Sequence, residues 1–485
     1  MYFSALICEL WTRLIFAGSE LPTDASRRDS VAFAAIFGVV AAALCALMQD
    51  FAIDDAFISV RYARNLASGV GYRFNPMEDV TDGVTPLPWA WMLRPLAHAD
   101  ALTVLGRVRL LGMLGYVATL AAVGFRVGQT GTHRHRLGAL VLTAVTAGPA
   151  AYAMSGMETW VATGLIVVAA LMRQRPLVAA AVAGLAAAFR PEAIGFALVF
   201  SLVLGFRAER PLAVLPHLSL SSLPFVVAAL VRVSVWGTAM PLAAVAKPSS
   251  PGLGLSYAVA GVLSTGVLLA SLAPFTIGRA PKATQALAFG IAAHFLCITF
   301  AGGDWMPLFR LWVPVLPLAP LLFVELAPAC LTWLLWIRFA VALALGVVLG
   351  GRAAWHHRSL MPARTAAITQ VAPLLRGERV ATIDIGWVSG ATDGYIFDMA
   401  GVTNPPVAAL PGGHTSKRVS LAMLRDHDVT RVLLWATAAP VSLERWDQAT
   451  FPRHAEKRLS HELASWKASA WVPMGNVGGY VLLAR

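Results

Sequence analysis

Long apolar runs, separated by short basic turns, fill most of the chain up to about residue 335. Six of them contain almost no charge: 31–49, 139–153, 212–231, 255–277, 286–301 and 313–335. A helix of about 20 apolar residues crosses the hydrocarbon core of a bilayer, and it satisfies its own backbone hydrogen bonds there. The pattern therefore predicts an α-helical polytopic membrane protein, for which we count about eleven transmembrane helices.

The basic turns between these runs predict the orientation of the chain. They contain Arg27, Arg28, Arg126, Arg134, Arg136, Arg173, Arg175, Arg207, Arg210, Arg279, Lys282 and Arg338. Cytoplasmic loops carry an excess of Lys and Arg, so these turns are expected on the cytoplasmic side. An odd number of spans then puts the C-terminal tail outside. Residues 176–189 and 193–206 are short for spans, and a re-entrant hairpin would preserve the same parity.

Two stretches are too polar to be spans. Residues 50–106 are interrupted by charges and predict a long first outer loop, with a helix over 56–68. Residues 352–485 predict a small extracytoplasmic α/β domain, with strands at 379–385, 431–435 and 479–484 and a helix at 416–426. The expected organisation is a transmembrane domain over 1–351, followed by this outer domain.

The composition agrees with a membrane protein, since 58% of the residues are hydrophobic and only 13% are charged. The formal net charge of +12 would also suit a nucleic-acid-binding protein. The basic residues are scattered between spans and form no stripe or recognised motif, so we predict no nucleic-acid partner.

Two adjacent carboxylates, Asp54 and Asp55, open the first outer loop. Such a pair is costly at a membrane surface unless it is used. One carboxylate could act as a general base, or hold a divalent cation against a phosphate. The alternative is that one Asp caps the helix over 56–68, which leaves the other unexplained. Arg61 and Arg64 follow on one helical face, where they could bind phosphate or extend toward lipid headgroups.

Further polar residues cluster where spans are expected to end on the outer side. They are Glu158, Arg190, Glu192, Arg232, Lys247, Asp304, Trp305 and Arg310. Each one alone is typical of a helix cap or a turn. Basic residues on the outer side oppose the usual charge bias, however, and so indicate an anionic partner such as a phosphate lipid.

The order of these motifs resembles that of the GT-C glycosyltransferases. Residues 54–66 read DDAFISVRYARNL, and SGMET (155–159), RPE (190–192) and GGDWMP (302–307) follow. The closest resemblance is to the arabinofuranosyltransferases that add terminal arabinose in mycobacterial cell-wall assembly. It runs from residue 31 to about 325, and weakly on through DIG (384–386) and DMAG (398–401). The chain departs from that family at 84–86, 235–237 and 242–247, where the motifs for sugar and acceptor differ.

The resemblance implies transfer of a sugar from a polyprenyl-phosphate donor to a cell-envelope glycan, outside the cytoplasmic membrane. Asp54 is the expected base, and Asp55 would orient it or bind the acceptor. The resemblance further implies that Arg190, Arg232 and Lys247 bind the donor phosphate, while Glu158, Glu192 and Asp304 contact sugar hydroxyls or support the site. Arg61, Arg64, Trp305 and Arg310 are expected to bind substrate, and a groove between spans would hold the lipid tail. No cofactor is implied beyond a divalent cation.

Two other functions remain open on the sequence alone. A transporter or flippase of lipid-linked sugars would carry charges within its spans or inverted repeats, of which we find few and none, respectively. A non-catalytic scaffold that docks a cell-wall enzyme would tolerate changes at Asp54 and Asp55.

Overall fold

Helices dominate the described part of the chain as far as residue 375, and a small sheet domain follows. The computed structural model describes residues 24–247, 249–265, 278–327, 332–357, 359–437, 446–447, 449–465 and 471–485. The predicted spans 255–277 and 313–335 lie partly outside these described residues.

The helical part contains sixteen described α-helices, which pack as one body. They are α1 (Asp24–Leu47), α2 (Asp54–Ala67), α3 (Leu87–Leu93), α4 (Ala101–Gly128), α5 (His133–Ala144), α6 (Ala147–Met154), α7 (Thr159–Leu171), α8 (Pro176–Phe189), α9 (Ile194–Gly205), α10 (Leu215–Trp236), α11 (Leu242–Ala246), α12 (Pro251–Ser264), α13 (Lys282–Ala301), α14 (Ala319–Leu326), α15 (Thr332–His357) and α16 (Leu360–Leu375). Short 3₁₀ helices lie at Arg94–Leu96, Pro191–Ala193, Pro211–Val214 and Arg310–Leu318.

Within the described residues, five helical stretches are long and apolar enough to cross a membrane. They are Arg27–Leu47, Ala101–Gly128, Pro211–Trp236, Lys282–Ala301 and Thr332–Leu375. The pair α5 and α6 is bent by 45° and makes a sixth span if it counts as one, and four further apolar helices are shorter. The chain is therefore a helical protein with several potential membrane spans, and the number eleven stays a prediction.

The run 313–335 does not form one continuous helix. Residues Arg310–Leu318 form a 3₁₀ helix that contains Pro314 and Pro317, and α14 follows it. Proline has no backbone N–H and clashes with the carbonyl one turn earlier, so two prolines three residues apart prevent a regular α-helix here. Apolar content alone could not indicate this break.

Glycines let the apolar helices approach closely. A Cβ at Gly124 of α4 would lie 2.5 Å from the Phe33 oxygen of α1, and one at Gly112 would lie 2.0 Å from the Ala153 oxygen of α6. Small residues at helix contacts allow tight packing where lipid removes the hydrophobic drive for association.

The C-terminal domain contains one five-stranded sheet. Its elements are β1 (Val380–Thr382), α17 (Ile385–Ala391), β2 (Ile396–Asp398), α18 (Pro405–Ala408), α19 (Leu421–Asp426), β3 (Arg431–Trp435), α20 (His454–Ser465), β4 (Val472–Val477) and β5 (Tyr480–Ala484). The strand order is β2-β1-β3-β5-β4, with β1 parallel to β2 and β3, and β5 antiparallel to β3 and β4. The small α/β domain expected here is thus present, with β2 and β4 in addition to the predicted strands. Residue 352 lies within α15, and the sheet begins only at Val380.

The stretch 50–106, expected to be the first outer loop, contains two α-helices, α2 and α3, joined by an irregular segment. The helix expected over 56–68 begins two residues earlier, at Asp54. It ends at Ala67, and Gly69 follows with a φ of 82°. Glycine adopts this left-handed conformation without steric cost and commonly ends helices. One side of α2 packs against α17, so the first loop joins the helical part to the sheet domain.

Candidate active site

A cavity of about 570 Å³ lies where the first loop, several helix ends and the sheet domain meet. The first turns of α2, the segment 83–86 and the turn between α8 and α9 contribute side chains to it. Parts of α10, α11 and α13, together with residues 303–311, form the remaining walls in the helical part. Val402 is the lining residue from the sheet domain. These segments are far apart in the sequence, so the cavity is a product of the tertiary fold.

Eight of the twelve side chains that the sequence singled out line this cavity. They are Asp55, Glu158, Arg190, Glu192, Arg232, Lys247, Asp304 and Arg310. Four are acidic and four are basic, so the cavity walls carry balanced charge before any ligand enters. The structure thus brings these eight side chains together at one cavity, and their roles stay predictions.

Most of these charges are paired with each other. Arg190 contacts Glu158 Oε1 at 3.0 Å and Glu192 Oε1 at 2.5 Å, and all three side chains are at most 8% exposed. Arg310 lies 2.5 Å from Asp304. Buried ion pairs of this kind hold their geometry because separation would leave an uncompensated charge.

Arg232 is paired outside the set expected from the sequence. Its Nε donates to Asp82 at 2.6 Å, and its Nη2 donates to the Thr85 carbonyl at 2.5 Å. Asp82 belongs to the first loop, where the sequence had indicated only an interruption of the apolar pattern. This pair ties α10 to the first loop beside the cavity.

The charges also shift the protonation of Asp304 and Arg310. Burial alone would raise the pKa of Asp304, but Arg310, Lys247 and Arg190 together lower it below its usual value. Burial alone would lower the pKa of Arg310, but Asp304 and other nearby acidic groups raise it. Both groups therefore stay charged at neutral pH.

The backbone before Arg310 is unusual. Leu308 and Phe309 have φ values of 58° and 53°, a left-handed conformation that is costly for residues with a Cβ. Tyr152 Oη donates to the Pro307 carbonyl at 2.8 Å and holds the turn in place. His294 contacts the Glu192 carbonyl through Nδ1 at 3.0 Å and the Leu311 carbonyl through Nε2 at 2.7 Å. These contacts fix the segments that carry Arg310 and Glu192, and no sequence motif had indicated His294.

Two charged side chains in the cavity have no partner of opposite charge. Among the described residues, neither Asp55 nor Lys247 forms a hydrogen bond or an ion pair with another side chain, although both line the cavity. A third polar atom is also unused, since Glu158 Oε2 is buried without a hydrogen-bond partner in the described part of the chain. The free carboxylate, the free ammonium and the free acceptor oxygen are therefore available to a ligand.

The sheet domain contributes to the cavity wall through Val402, which lies in a turn held by hydrogen bonds. The Asp398 carboxylate accepts hydrogen bonds from the N–H groups of Ala400, Gly401 and Thr403, at 2.8, 3.1 and 2.6 Å. Val402, within this turn, is thereby held against the cavity. The lone pairs of Asp398 are thus used by the backbone, and this residue has a structural role.

His414 lies further along the sheet domain, after α18, and was assigned no role from the sequence. Burial and the positive charge of Lys247 lower the pKa of His414 to about 4, and Asp55 and Asp304 act on it in the opposite direction. The imidazole is therefore neutral at physiological pH and lies within electrostatic range of the cavity charges. A single histidine in a glycine-rich segment gives no signal in the sequence that would reveal this.

Asp54, the expected base, does not line the cavity. Its carboxylate accepts hydrogen bonds from the N–H groups of Gly386, at 3.0 Å, and Trp387, at 2.7 Å, in the first turn of α17. Burial and then the negative charge of Asp384 raise the pKa of Asp54 to about 7. The residue before α2 is Ile53, which makes no side-chain cap, so neither Asp caps its own helix in the way the alternative had suggested.

Three further residues expected to bind substrate also lie away from the cavity. Arg61 donates to the carbonyls of Phe74, Thr392 and Gly394, and Arg64 forms an ion pair with Asp393 at 2.7 Å. Both arginines thus join α2 to the sheet domain, because their face of the helix is turned toward it. Trp305 is 58% exposed and does not line the cavity.

The sequence left a divalent cation open as a cofactor. In the part of the chain that the structure describes, no three His, Cys, Asp or Glu side chains come together to hold a metal ion.

One side of the cavity is apolar and faces outward. It is lined by Phe225 and Ala229 of α10 and by Phe300 and Ala301 of α13. Phe300 is 69% exposed, and α10 is almost entirely unburied along its apolar length. A charged pocket and an exposed apolar surface are therefore continuous.

No protein-family model, curated protein or solved structure matches this chain.

Proposed function

We propose that this protein is a membrane glycosyltransferase that moves a glycosyl unit from a polyprenyl-phosphate donor to a hydroxyl of a cell-envelope glycan. The observation that carries the proposal is a cavity with one unpaired carboxylate, Asp55, and one unpaired ammonium, Lys247, among charges that neutralise each other. A general base needs a carboxylate that is free to accept a proton. An unpaired ammonium is suited to a phosphate oxygen.

Asp55, rather than Asp54, takes the role of base in this proposal. The acceptor hydroxyl gives its proton to the Asp55 carboxylate while its oxygen bonds to the anomeric carbon of the donor. The bond between that carbon and the phosphate oxygen breaks, and polyprenyl phosphate leaves with the electron pair. Lys247 stabilises the negative charge that develops on the leaving phosphate.

The charge balance supports a donor with a single phosphate. Arg190, Arg232 and Arg310 each have a carboxylate partner, which leaves Lys247 as the unpaired cation among the described lining residues. A sugar phosphodiester carries one negative charge, and one free ammonium compensates it. A pyrophosphate donor carries a second charge, for which a paired arginine would have to give up its carboxylate at considerable cost.

Glu158 offers a contact for the sugar. Its Oε2 is buried without a hydrogen-bond partner among the described residues, and a buried acceptor left unpaired costs about 1–3 kcal/mol. A sugar hydroxyl that donates to this oxygen would relieve the cost. The resemblance of the outer motifs to arabinofuranosyltransferases makes arabinofuranose the first sugar to test.

The apolar side of the cavity supports a lipid-linked substrate. A polyprenyl chain lying between α10 and α13 would keep its contact with the bilayer while its phosphate reaches Lys247. In this proposal the cavity and the sheet domain face the periplasm or the cell exterior, and the chain crosses the cytoplasmic membrane about eleven times in a GT-C-like arrangement.

A transfer assay with purified protein tests the proposal. The protein, in detergent, receives polyprenyl-phosphate-arabinofuranose and a panel of glycan acceptors, and mass spectrometry detects the extended glycan. Asp55→Asn should lower the rate of transfer about 10²–10⁴-fold, as expected for loss of a general base, while donor binding stays intact. Asp79→Asn is the matched control, because Asp79 is an exposed first-loop residue outside the cavity.

Other outcomes would contradict the proposal in different ways. Full activity of Asp55→Asn would remove Asp55 from the role of base. Movement of the intact lipid-linked sugar across reconstituted vesicles, with no extended glycan from any donor, would favour the transporter. Neither binding nor transport nor transfer would favour the non-catalytic scaffold.

A further inference from the structure

The two adjacent carboxylates of the first loop face different parts of the molecule. Asp55 lines the cavity, together with Ile58 and Ser59 of α2. Asp54 accepts hydrogen bonds from Gly386 and Trp387 of the sheet domain. Successive side chains on an α-helix point about 100° apart, which directs the two carboxylates toward different parts of the molecule.

We propose that Asp54 is a positioning residue, which docks the sheet domain onto α2 and thereby holds Asp55 at its place in the cavity. This inference rests on the proposed function, since it assigns Asp54 a part in the same reaction. It also makes the sheet domain a working component of the active site, since one of its helices determines where the base stands.

A whole face of α2 is devoted to this contact. Positions 54, 57, 61 and 64 recur at helical spacing, and each lies against the sheet domain. Phe57 lies close to Gly390, at 3.2 Å from the site of a Cβ there, and Arg61 donates to the Thr392 and Gly394 carbonyls at 2.8 and 2.6 Å. Asp54 is at the end of this face and nearest to Asp55, so its contact fixes the first turn of the helix.

The approach of α17 to Asp54 is as close as a backbone allows. A Cβ at Gly386 would lie 2.0 Å from the Asp54 carbonyl oxygen and 2.7 Å from its Cγ, so only glycine fits. The two N–H groups that donate to Asp54 have no partner within α17, because the first N–H groups of any helix lack an intrahelical acceptor. A carboxylate is also favoured at this positive end of the helix.

A second anchor comes from the irregular segment after α2. Asn75 Oδ1 accepts the Ile396 N–H at 3.0 Å, and Asn75 Nδ2 donates to the Ile396 carbonyl at 2.9 Å. The side chain thus pairs with the edge strand β2 as a neighbouring strand would. With these bonds at one end and Asp54 at the other, α2 cannot shift independently of the sheet domain.

Charged groups of the sheet domain and of α16 surround Asp54. Asp384 repels it, and Arg364 attracts it. Asp384 is itself held by a two-pronged ion pair with Arg453, at 2.8 and 3.0 Å, and by a hydrogen bond from Tyr480. Since Arg453 holds Asp384 in place, a negative charge is fixed next to Asp54. The two N–H groups of α17 and the positive charge of Arg364 offset the resulting repulsion on the Asp54 carboxylate.

Two variants test the inference from opposite sides of the contact. Asp54→Asn replaces one accepting oxygen with an NH₂ group that faces an N–H donor, and Gly386→Ala introduces the clashing Cβ. Both should lower kcat about 10–100-fold, the effect of losing a charged hydrogen bond or displacing a catalytic group by about 1 Å. The KM for polyprenyl-phosphate-arabinofuranose should stay within about threefold, because Lys247 is untouched. Asp54→Glu, which keeps the carboxylate, should recover part of the loss.

Matched controls separate this effect from general damage. Asp393→Asn removes an exposed acidic residue from the same interface, and exposed ion pairs contribute about 1 kcal/mol or less. Gly106→Ala adds a methyl in a helix where nothing lies within 4 Å. Both controls should transfer sugar at a rate within about twofold of the wild type.

Hydrogen exchange, followed by mass spectrometry on the protein without donor, provides a readout that does not depend on activity. In Asp54→Asn and Gly386→Ala, amide exchange should accelerate about tenfold or more both in α17 and in the first turn of α2. An unchanged kcat in variants whose α17 exchanges faster would overturn the inference, and so would normal exchange in both segments. If the wild type transfers no sugar, the proposed function fails on its own. Faster exchange in α17 alone, without a change in α2, would then still refute the positioning role.

Discussion

Replacing Arg190 by methionine removes the positive charge that two buried carboxylates share. Arg190 Nη1 donates to Glu158 Oε1 at 3.0 Å, and Arg190 Nε donates to Glu192 Oε1 at 2.7 Å. The side chains of Glu158 and Glu192 are 2% and 8% exposed, so bulk water solvates their carboxylates poorly. The variant leaves both carboxylates buried beside each other, and they then repel.

The expected loss of stability follows from this burial. Removing one partner of a buried ion pair costs about 3–5 kcal/mol, because the remaining charge is uncompensated. At an average unfolding entropy of about 2 cal/mol/K per residue, a chain of 485 residues loses roughly 1 °C of midpoint temperature per kcal/mol. Arg190→Met should therefore unfold about 3–5 °C below the wild type.

The assay is thermal unfolding in detergent, followed by tryptophan fluorescence. A triple variant, Arg190→Met with Glu158→Gln and Glu192→Gln, is the critical comparison, since neutral replacement of a buried ion cluster is often tolerated. It should unfold at a higher temperature than Arg190→Met. An unfolding temperature for Arg190→Met within 1 °C of the wild type would refute the reasoning, as would a triple variant less stable than the single one.

Two further predictions concern the first loop and the free cation. Lys247→Met should raise the KM for the donor about tenfold or more and change kcat less, whereas Lys457→Met, an exposed control in α20, should change neither. Equal losses in the two variants would exclude a specific phosphate contact. The second prediction is that the stability of the wild type relative to Asp54→Asn falls as pH rises from about 5 to 7. The pKa of Asp54 in the folded protein, about 7, exceeds its unfolded value near 4, so the folded form holds the extra proton in that range. Thermal midpoints of both proteins from pH 5 to 9 should converge and then become parallel above pH 7, and parallel midpoints throughout would contradict the raised pKa.

The sequence predicted the helical part because hydropathy is a local property. Uninterrupted apolar runs such as 31–49 and 286–301 coincide with α1 and α13, as composition and length require. The expectation of one continuous helix over 313–335 was wrong, because Pro314 and Pro317 impose a backbone geometry that hydropathy does not measure. The sequence did not predict β2, because a strand of three residues is too short to show an alternating pattern. It did not predict β4, because Pro473 and Gly475 interrupt the alternation there.

Eight of the twelve residues that the sequence singled out line the cavity, and Asp54, Arg61, Arg64 and Trp305 do not. Arg190 and Lys247 were singled out because they were expected on the outer side, where they would oppose the usual membrane charge bias. The partners of Arg232 and Arg61, by contrast, lie 150 and more than 300 residues away in the chain. Nothing in local sequence indicates such pairings, and the same applies to the place of Val402 at the cavity and to the effect of the cavity charges on His414.

The structure gives a physical reason for the two adjacent carboxylates of the first loop. Their surroundings differ, since the first turn of α17 supplies two N–H groups to Asp54, whereas Asp55 lines the cavity within electrostatic range of Arg310. The two side chains point about 100° apart on the helix, which directs them to these different surroundings. The two positions are therefore not interchangeable. Asp54→Asn removes a contact with the sheet domain and Asp55→Asn removes the free carboxylate of the cavity, so only the former should alter amide exchange in α17.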